Sequence, residues 1–256
     1  MKLQFVETAN YAGLLATVKT MVETDPPSPR LGLVYGPPGR GKTFATDVLA
    51  TRTGAAYLSA ARVWTPSSML RNIIAALGGQ PAWSASDNLT RAAELLSERA
   101  RLGTGSLLIV DEADYLMQGS RPPSTPALLD TIRDLHDLSH APILLVGMES
   151  LARTLSQYPL FWDRCLIHHE FKGITPAEVQ KLAKELAGLS LGQEAAELLV
   201  RATSGNLRQT ILYLVRLERL ALTNSNSQVQ PGWIGTVEKE VAGRKLRLAG
   251  GLRRVK

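Results

Sequence analysis

The segment from Gly36 to Thr43 constrains the fold of this chain more than any other feature of its sequence. Its residues read Gly-Pro-Pro-Gly-Arg-Gly-Lys-Thr and match the pattern G-x-x-x-x-G-K-[ST]. An abrupt apolar run, Leu31–Tyr35, precedes the segment, and helical spacing follows it at Thr43–Thr53. The sequence therefore predicts a buried strand, a tight loop and a helix in direct succession, which is the context that the pattern requires.

This loop is suited to hold the phosphates of a nucleotide. Its glycines allow backbone N–H groups to turn inward around phosphate oxygens, and the N-terminus of the next helix adds positive potential. We expect Lys42 to reach the β- and γ-phosphates and the Thr43 hydroxyl to ligate Mg²⁺, so the predicted ligands are ATP and Mg²⁺. The candidate nucleotide-binding residues of this segment are Gly36, Pro37, Pro38, Gly39, Arg40, Gly41, Lys42, Thr43 and Phe44.

Two acidic residues end another predicted strand. Leu107–Val110 are apolar, and the carboxylates of Asp111 and Glu112 follow them directly. In an open α/β sheet, ligands bind at the carboxyl edge of the strands. We expect Asp111 to bind the nucleotide's Mg²⁺ through the water shell that this ion keeps. We expect Glu112 to act as the general base on the attacking water.

Two arginines are candidates for contact with the γ-phosphate. Arg208 opens the last predicted helix, where it could report the nucleotide state through rotation of a lid. Arg164 directly precedes the fifth predicted strand and could project into the site of a neighbouring subunit as an arginine finger. For each, an ordinary surface arginine paired with a carboxylate is the alternative.

Strands and helices alternate along the first two thirds of the chain, which indicates a parallel sheet covered by helices on both faces. The predicted strands are Leu31–Tyr35, Ala55–Ser59, Leu107–Val110, Ile143–Val146 and Cys165–His168. Three helices are expected to start at Thr-Pro pairs, at residues 65–66, 125–126 and 175–176, because threonine caps a helix and proline suits its first position.

The alternation stops after Thr175, where only helical stretches follow, and Asn224–Ser227 then forms a polar stretch. The expected fold class is α/β, with a five-stranded parallel sheet flanked by helices, a small all-helical lid and a basic tail. The expected domains are an α/β core at 1–173, the lid at 174–224 and the tail at 225–256.

Charge is concentrated at the C-terminal end. The net charge is +6, and residues 228–256 hold seven Lys or Arg against two Glu, so they carry +5 of it. Composition leaves open whether this segment binds a polyanion or only aids solubility. No run approaches the roughly 18–20 apolar residues of a membrane-spanning helix. The single cysteine, Cys165, excludes an internal disulfide and suits a cytoplasmic protein.

Taken together in chain order, these motifs resemble those of an AAA+ ATPase over roughly residues 5–222. The phosphate loop, the Asp111-Glu112 strand, the finger arginine and a Gly-Asn-Leu-Arg motif at 205–208 follow that family's order. Within AAA+, Phe5–Thr8 and Pro66–Leu70 are similar to segments of the MuB/TnsC/IstB branch, the ATPase regulators of DNA transposases.

The resemblance implies an AAA+ P-loop core whose ATP hydrolysis depends on Mg²⁺ and is stimulated by DNA. It also implies a homo-oligomeric filament or ring on double-stranded DNA, with little sequence preference, that recruits a DDE-type transposase for target-site selection. A helicase loader of DNA replication is the alternative, and a membrane-associated motor similar to ExeA is a third. The absence of a winged-helix domain after the lid argues against Orc/Cdc6 initiators.

One departure from the family concerns the tip of the fourth strand. Met148 stands where the family often places Asn or Thr to orient water. Methionine has no hydrogen-bonding group suited to this task. We therefore expect either that Glu149 or Ser150 replaces that group or that hydrolysis is slow.

Duplex binding without sequence preference needs Lys or Arg side chains aimed at phosphates. The candidates in the core are Arg62, Arg71 and Arg121, in regions that line the central channel of related filament formers, with the tail arginines as alternatives. Aromatic residues make up 5% of the chain and form no stripe, which argues against a base-stacking platform for single strands. We expect Trp64 and Trp83 to pack instead.

Overall fold

The computed structural model describes residues 4–25, 28–102, 105–117 and 126–251, with all their side chains except those of residues 166 and 242–251. The candidate DNA contact Arg121 and the expected helix cap Thr125 lie outside the described residues. The chain forms two compact units, Asn10–Phe171 and Lys172–Lys256 with Met1–Ala9.

The larger unit is built on a five-stranded, all-parallel sheet, as predicted. The strands are β1 Leu31–Tyr35, β2 Ala56–Ser59, β3 Leu108–Asp111, β4 Ile143–Val146 and β5 Cys165–Glu170. The strand order is β2-β3-β4-β1-β5, so the first of these strands in sequence lies between the fourth and the fifth. Apolar runs form β1, β3 and β4, which is the pattern of strands buried on both faces.

Helices cover this sheet and bury its apolar side chains. Leu31, Leu33 and Leu145 are fully buried and belong to one core with apolar residues of the helices. A 3-10 helix, Ala113–Met117, follows β3 directly. The α-helices of this unit are α1 Ala9–Glu23, α2 Lys42–Thr53, α3 Pro66–Ala76, α4 Ala85–Arg101, α5 Ala127–Ser139, α6 Glu149–Leu155 and α7 Pro159–Trp162.

The first helix, α1, was not predicted. A Cβ on Gly13 would lie only 2.1 Å from the His169 ring, so the helix backbone lies directly against β5 at this point. The ring nitrogen Nε2 of His169 is 3.1 Å from the carbonyl oxygen of Asn10. Met21 packs closely on Gly32 of β1. Two glycines, one on the helix and one on the sheet, thus allow α1 to cover β1 and β5.

The Thr-Pro signals are confirmed at two helices. Thr65 caps α3 and Thr175 caps a later helix, each in a reciprocal capping box with the residue three positions on. At the third pair, Pro126 stands at the cap position, and α5 begins one residue later than expected, at Ala127.

The second unit is mainly helical, with a short two-stranded parallel sheet. Its strands are β6 Ser190–Leu191 and β7 Gln228–Val229. Its helices are α8 Pro176–Ala187, α9 Gln193–Thr203, α10 Leu207–Thr223 and α11 Pro231–Gly251. The N-terminal segment belongs to this unit, because Lys181 Nζ donates to the Glu7 carbonyl and Glu178 accepts from the Ala9 N–H.

The segment expected to be a basic tail behind a polar linker instead packs back onto this unit. Val229, Ile234 and Val237 are buried in its core, together with Leu214 and Leu217 of α10. Their burial removes apolar surface from water, which stabilises the return of the chain. Among the described residues, no helix is both long and apolar enough to cross a membrane.

Candidate nucleotide-binding site

The phosphate loop lies between the end of β1 and the start of α2, as predicted. Gly36, Gly39 and Gly41 have φ values of 151°, 77° and 90°, backbone conformations that side chains other than hydrogen rarely allow. A Cβ on Gly36 would lie 2.5 Å from the carbonyl oxygen of Phe171, which follows β5. The loop therefore requires glycine both for its turns and for its contact with β5.

Lys42 is the first residue of α2 and folds back over this loop. Its Nζ donates to the carbonyl oxygens of Gly36 and Pro37 at 2.7 and 3.0 Å. Thr43 and Phe44 follow it on exposed positions, and the Phe44 side chain is 54% exposed. The ammonium group is thus held at the mouth of the loop by backbone oxygens.

Four carboxylates lie near enough to Lys42 to act on its charge. Burial lowers the pKa of the Lys42 ammonium, and these carboxylates oppose that shift by stabilising its charge. In order of influence they are Asp111, Asp114, Glu112 and Glu149. Their influence on one ammonium group places the tips of β3 and β4 beside the phosphate loop, which is the arrangement expected at the carboxyl edge of the sheet.

Asp111 ends β3 and is buried, with 3% of its surface exposed. The Tyr57 hydroxyl of β2 donates to its Oδ2 at 2.8 Å, and the backbone N–H of Glu112 donates to its Oδ1 at 2.8 Å. Burial raises the pKa of Tyr57 well above its ordinary value, and the hydrogen bond to the Asp111 carboxylate raises it further. Tyr57 therefore remains a hydrogen-bond donor over the whole physiological range of pH.

Glu112 differs from Asp111 in its exposure. Its side chain is exposed, and its backbone has a φ of 54°, a left-handed conformation that is uncommon for a residue other than glycine. Such strain is found at functional sites more than elsewhere. The turn directs the chain from β3 into the 3-10 helix, where Tyr115 N–H donates to the Glu112 carbonyl.

Asp114 links the tips of β3 and β4. Its Oδ2 accepts from the Met148 N–H at 2.7 Å, and its Oδ1 accepts from the Ser150 hydroxyl at 3.0 Å. A Cβ on Gly147 would lie 2.4 Å from Asp114 Oδ2, so this contact requires glycine at the end of β4. Of the two expected replacements for the polar tip, Ser150 is therefore tied to Asp114, and Glu149 is close enough to influence Lys42.

The oxygen donors at this edge fit Mg²⁺, which prefers carboxylate, hydroxyl and phosphate oxygens and keeps several waters. Among the described residues, no group of three or more His, Cys, Asp or Glu side chains is placed to hold a metal by itself.

Arg164 lies at the opposite edge of the sheet. It precedes Cys165, which pairs with Leu31 at the start of β1, whereas the phosphate loop follows the end of β1. A strand rises about 3.3 Å per residue, so roughly 15 Å separates the two edges. Arg164 is paired with Asp137, and its side chain is 32% exposed. If it contacts a γ-phosphate, that phosphate belongs to another subunit.

The other described candidates are exposed arginines. Arg208 is exposed near the start of α10, in the helical unit. Arg62 is exposed in the turn before α3, and Arg71 is exposed on that helix, where its Nη2 donates to the Trp83 carbonyl at 3.4 Å. The expected packing of Trp83 is wrong, because its side chain is 94% exposed.

Sequence reasoning missed two residues of this site, Tyr57 and Asp114. Tyr57 stands on a strand with no motif of its own, so its partner follows only from the pairing of β2 with β3. Asp114 lies two residues after Glu112, and an acidic residue at that spacing is common in surface turns, so its position in the sequence does not indicate a functional role. A signal for it existed in Gly147, since glycine at a strand end permits close approach of another group.

Comparison with protein families identifies the class to which these features belong. A family model described as an AAA domain matches residues 27–155, about half of the chain, and this span includes the phosphate loop, Asp111 and Glu112. The chain therefore belongs to the AAA domain family of P-loop, nucleotide-binding proteins. No curated protein matches it in sequence.

Solved structures share the fold at low sequence identity. Aeropyrum pernix ORC2, in ADPNP and ADP complexes, has a TM-score of 0.65 at 15% identity, over 93% of this chain and 70% of that one. Aeropyrum pernix ORC1 in complex with DNA has a TM-score of 0.55 at 18% identity, over 91% and 64%. The Thermotoga maritima RuvB Holliday junction branch migration motor has a TM-score of 0.55 at 18% identity, over 93% and 70%. The chain thus spans about two thirds of these proteins.

Proposed function

We propose that this chain is an ATPase that assembles on double-stranded DNA. The observation that supports hydrolysis is the position of Lys42, which folds over the phosphate loop while carboxylates at the tips of two strands act on its charge. Phosphoryl transfer to water needs a cation that binds the phosphates, a buried carboxylate that binds the metal and an exposed carboxylate that accepts a proton from the attacking water.

In the proposed reaction, the phosphate loop and Lys42 bind the β- and γ-phosphates of ATP. Thr43 and Asp111 would hold Mg²⁺, which neutralises phosphate charge when bound. The Glu112 carboxylate takes a proton from the water that attacks the γ-phosphorus, and ADP and phosphate leave. Arg164 of a neighbouring copy and Arg208 supply further positive charge to the γ-phosphate.

Two of the similar structures support DNA as the partner, since one is ORC1 in complex with DNA and another is a Holliday junction branch migration motor. Arg62 and Arg71 are exposed and available for phosphate contact, and Arg121 remains a candidate outside the described residues. Phosphate contacts of this kind bind duplexes with little regard to sequence.

For the biological role, we retain recruitment of a DDE-type transposase to its target DNA, on the strength of Phe5–Thr8 and Pro66–Leu70. A role in DNA replication is the second candidate, favoured by the similarity to ORC2 and ORC1. ATP-dependent filaments on random-sequence duplexes would favour the first role. A stable complex with a hexameric helicase would favour the second.

Two variants test the ATPase. Lys42→Ala should abolish both ATP binding and ATP-dependent binding to a random duplex, whereas Glu112→Gln should bind ATP normally and hydrolyse it at least about 100-fold more slowly, because general-base catalysis contributes about 10²–10⁴. Binding of a fluorescent ATP analogue, phosphate release and fluorescence anisotropy with labelled duplex measure these effects. Lys19→Ala, on an exposed face of α1, is the matched control. Unchanged turnover in both variants would refute the proposed site.

A further inference from the structure

We infer that Asp137 is a positioning residue for Arg164, an inference that rests on the proposed role of Arg164 in a neighbouring subunit's site. Arg164 Nε donates to Asp137 Oδ1 at 3.1 Å, and its Nη2 donates to Oδ2 at 3.1 Å. The Leu160 carbonyl accepts from Nη1 at 2.6 Å. Two parallel bonds to one carboxylate fix the plane of a guanidinium as well as its position.

A histidine supports Asp137 from behind. The Arg30 backbone N–H donates to His136 Nε2 at 3.0 Å, so this nitrogen carries no proton in the neutral ring. The proton therefore lies on Nδ1, which is 3.2 Å from Asp137 Oδ1. His136 is buried, with 4% of its surface exposed. The carboxylate is thus oriented by a fixed ring, and the ring is fixed by the backbone that leads into β1.

Arg133 does not compete for Asp137 at short range. It lies one turn earlier on α5, where its Nη1 is 2.8 Å from Asp130 Oδ1 and its Nη2 is 3.0 Å from Asp134 Oδ1. Asp137 has its two short contacts with Arg164 and His136 instead. Hydrogen bonds from Arg164 and His136 outweigh the opposing effect of burial and lower the pKa of Asp137, so the carboxylate stays charged at neutral pH.

The arginine held in this way still has donors to offer. A guanidinium has five N–H groups, and the contacts with Asp137 and Leu160 engage three of them. The other two are enough for the two-point grip by which arginine binds a phosphate. Because their direction is fixed in advance, less conformational entropy is lost when the phosphate of a neighbouring copy arrives.

The test compares four full-length variants under saturating DNA. Asp137→Asn keeps the shape of the side chain and removes its charge, Asp137→Glu restores the charge, Arg164→Ala removes the finger, and Asp134→Asn is the matched control on the same helix. Because hydrogen bonds to charged groups are among the strong ones, Asp137→Asn should lower kcat about tenfold or more. The KM for ATP should change less than about twofold, since a residue that acts only in the transition state leaves ground-state binding intact.

Two further measurements distinguish positioning from a general structural effect. Asp137→Asn should add nothing to the loss caused by Arg164→Ala in the double variant, because both act through one group. Mixing Asp137→Asn subunits with Glu112→Gln subunits should raise turnover above the sum of the two. An interface at which a Glu112→Gln subunit presents its Arg164 to an Asp137→Asn subunit combines an intact Glu112 with a positioned Arg164, whereas the reverse interface stays inactive.

The outcomes separate this inference from the function on which it rests. If Arg164→Ala hydrolyses ATP normally, the role of Arg164 in the neighbouring site fails, and the inference fails with it. If Arg164→Ala is inactive while Asp137→Asn is unchanged or faster, only the inference is overturned, since Asp137 would then be neutral or a restraint. Additive losses in the double variant would overturn it as well.

Discussion

The Tyr57 hydroxyl donates a hydrogen bond of 2.8 Å to Oδ2 of Asp111, across the register that pairs β2 with β3. The same register sets Leu58 opposite Val110 and Ser59 opposite Asp111. The contact therefore crosses from one strand to the next near their carboxyl ends. It fixes one oxygen of the carboxylate that we expect to face the Mg²⁺ of bound ATP.

Tyr57→Phe should weaken the response of the ATPase to Mg²⁺. Without the donor, a buried carboxylate oxygen loses a partner and its orientation, at a cost of about 1.5–3 kcal/mol for a hydrogen bond to a charged group. We expect the Mg²⁺ concentration for half-maximal turnover to rise about tenfold. Titration of Mg²⁺ at fixed ATP, and binding of an ATP analogue with and without Mg²⁺, measure the effect.

Tyr115→Phe is the matched control for that substitution. Tyr115 lies on the 3-10 helix after β3 and is 38% exposed. Removal of the Tyr115 hydroxyl by Tyr115→Phe should leave the Mg²⁺ titration unchanged. Equal Mg²⁺ titration curves for Tyr57→Phe and the unaltered protein would contradict a role for the Tyr57 hydroxyl in Mg²⁺ binding.

Ser150→Ala should weaken the link between the tip of β4 and the 3-10 helix. The Ser150 hydroxyl and the Met148 N–H both bond to Asp114, and Ser150→Ala removes one of these two bonds. We expect kcat to fall about three- to tenfold with ATP affinity unchanged, because a net hydrogen bond is worth about 0.5–1.5 kcal/mol. Asp114→Asn should have the larger effect, and Ser156→Ala, whose hydroxyl bonds within its own helical turn, serves as control. A normal kcat in both site variants would contradict a catalytic role for this link.

His136 should make the fold less stable as the pH falls below about 6.5. Burial lowers the pKa of this ring in the folded state, although Asp137 opposes the shift, so the unfolded chain binds a proton that the folded chain resists. Stability from this residue is therefore complete above the unfolded pKa and is lost as the pH falls toward the folded one. Denaturant unfolding at pH 7.5, 6.5 and 5.5 should show a decline that His136→Gln reduces. His140→Asn, which suits the left-handed cap of α5, should reduce the decline much less, because the charge of His140 is a smaller cause of the lowered His136 pKa than burial.

Ile234→Ala should destabilise the helical unit. Ile234 lies on α11 with 3% of its surface exposed, among apolar residues of the core of that unit. Removal of a buried isoleucine side chain to alanine costs about 2–5 kcal/mol. Chemical denaturation followed by circular dichroism measures it. Lys239→Ala, on an exposed position of the same helix, should change stability by less than about 0.5 kcal/mol. If α11 did not pack on the helical unit, both substitutions would leave the free energy of unfolding unchanged.

The sheet of the larger unit was predictable because most of its strands are short apolar runs with clear ends. Glycine and proline follow Leu31–Tyr35, and the acidic pair Asp111-Glu112 closes the run that begins at Leu108. The phosphate loop was predictable because its glycines serve a specific backbone need. Here the local sequence and the tertiary structure favour the same conformation, which is the condition under which sequence reasoning succeeds.

The missed elements depend on contacts that are distant in sequence. The apolar residues of α1 alternate with glycine, alanine and threonine, and their burial follows only from their packing on β1 and β5. The polar stretch before β7 suggested a linker, yet Val229 pairs with Leu191 and carries the chain back to the helical core. The partner of Arg164 was also unpredictable, because α5 and the start of β5 meet only in the folded unit.

The strand order has a consequence for biosynthesis. β1 is made before β4 and β5, yet Leu31 pairs with Ile143 of β4 and with Cys165 of β5. Until those strands emerge, both hydrogen-bonding edges of β1 lack their partners, a condition that favours association with other chains. Pairing across such a distance along the chain is slow, because the entropy of loop closure opposes it. The strand that leads into the phosphate loop is therefore synthesised well before either of the strands that pair with it.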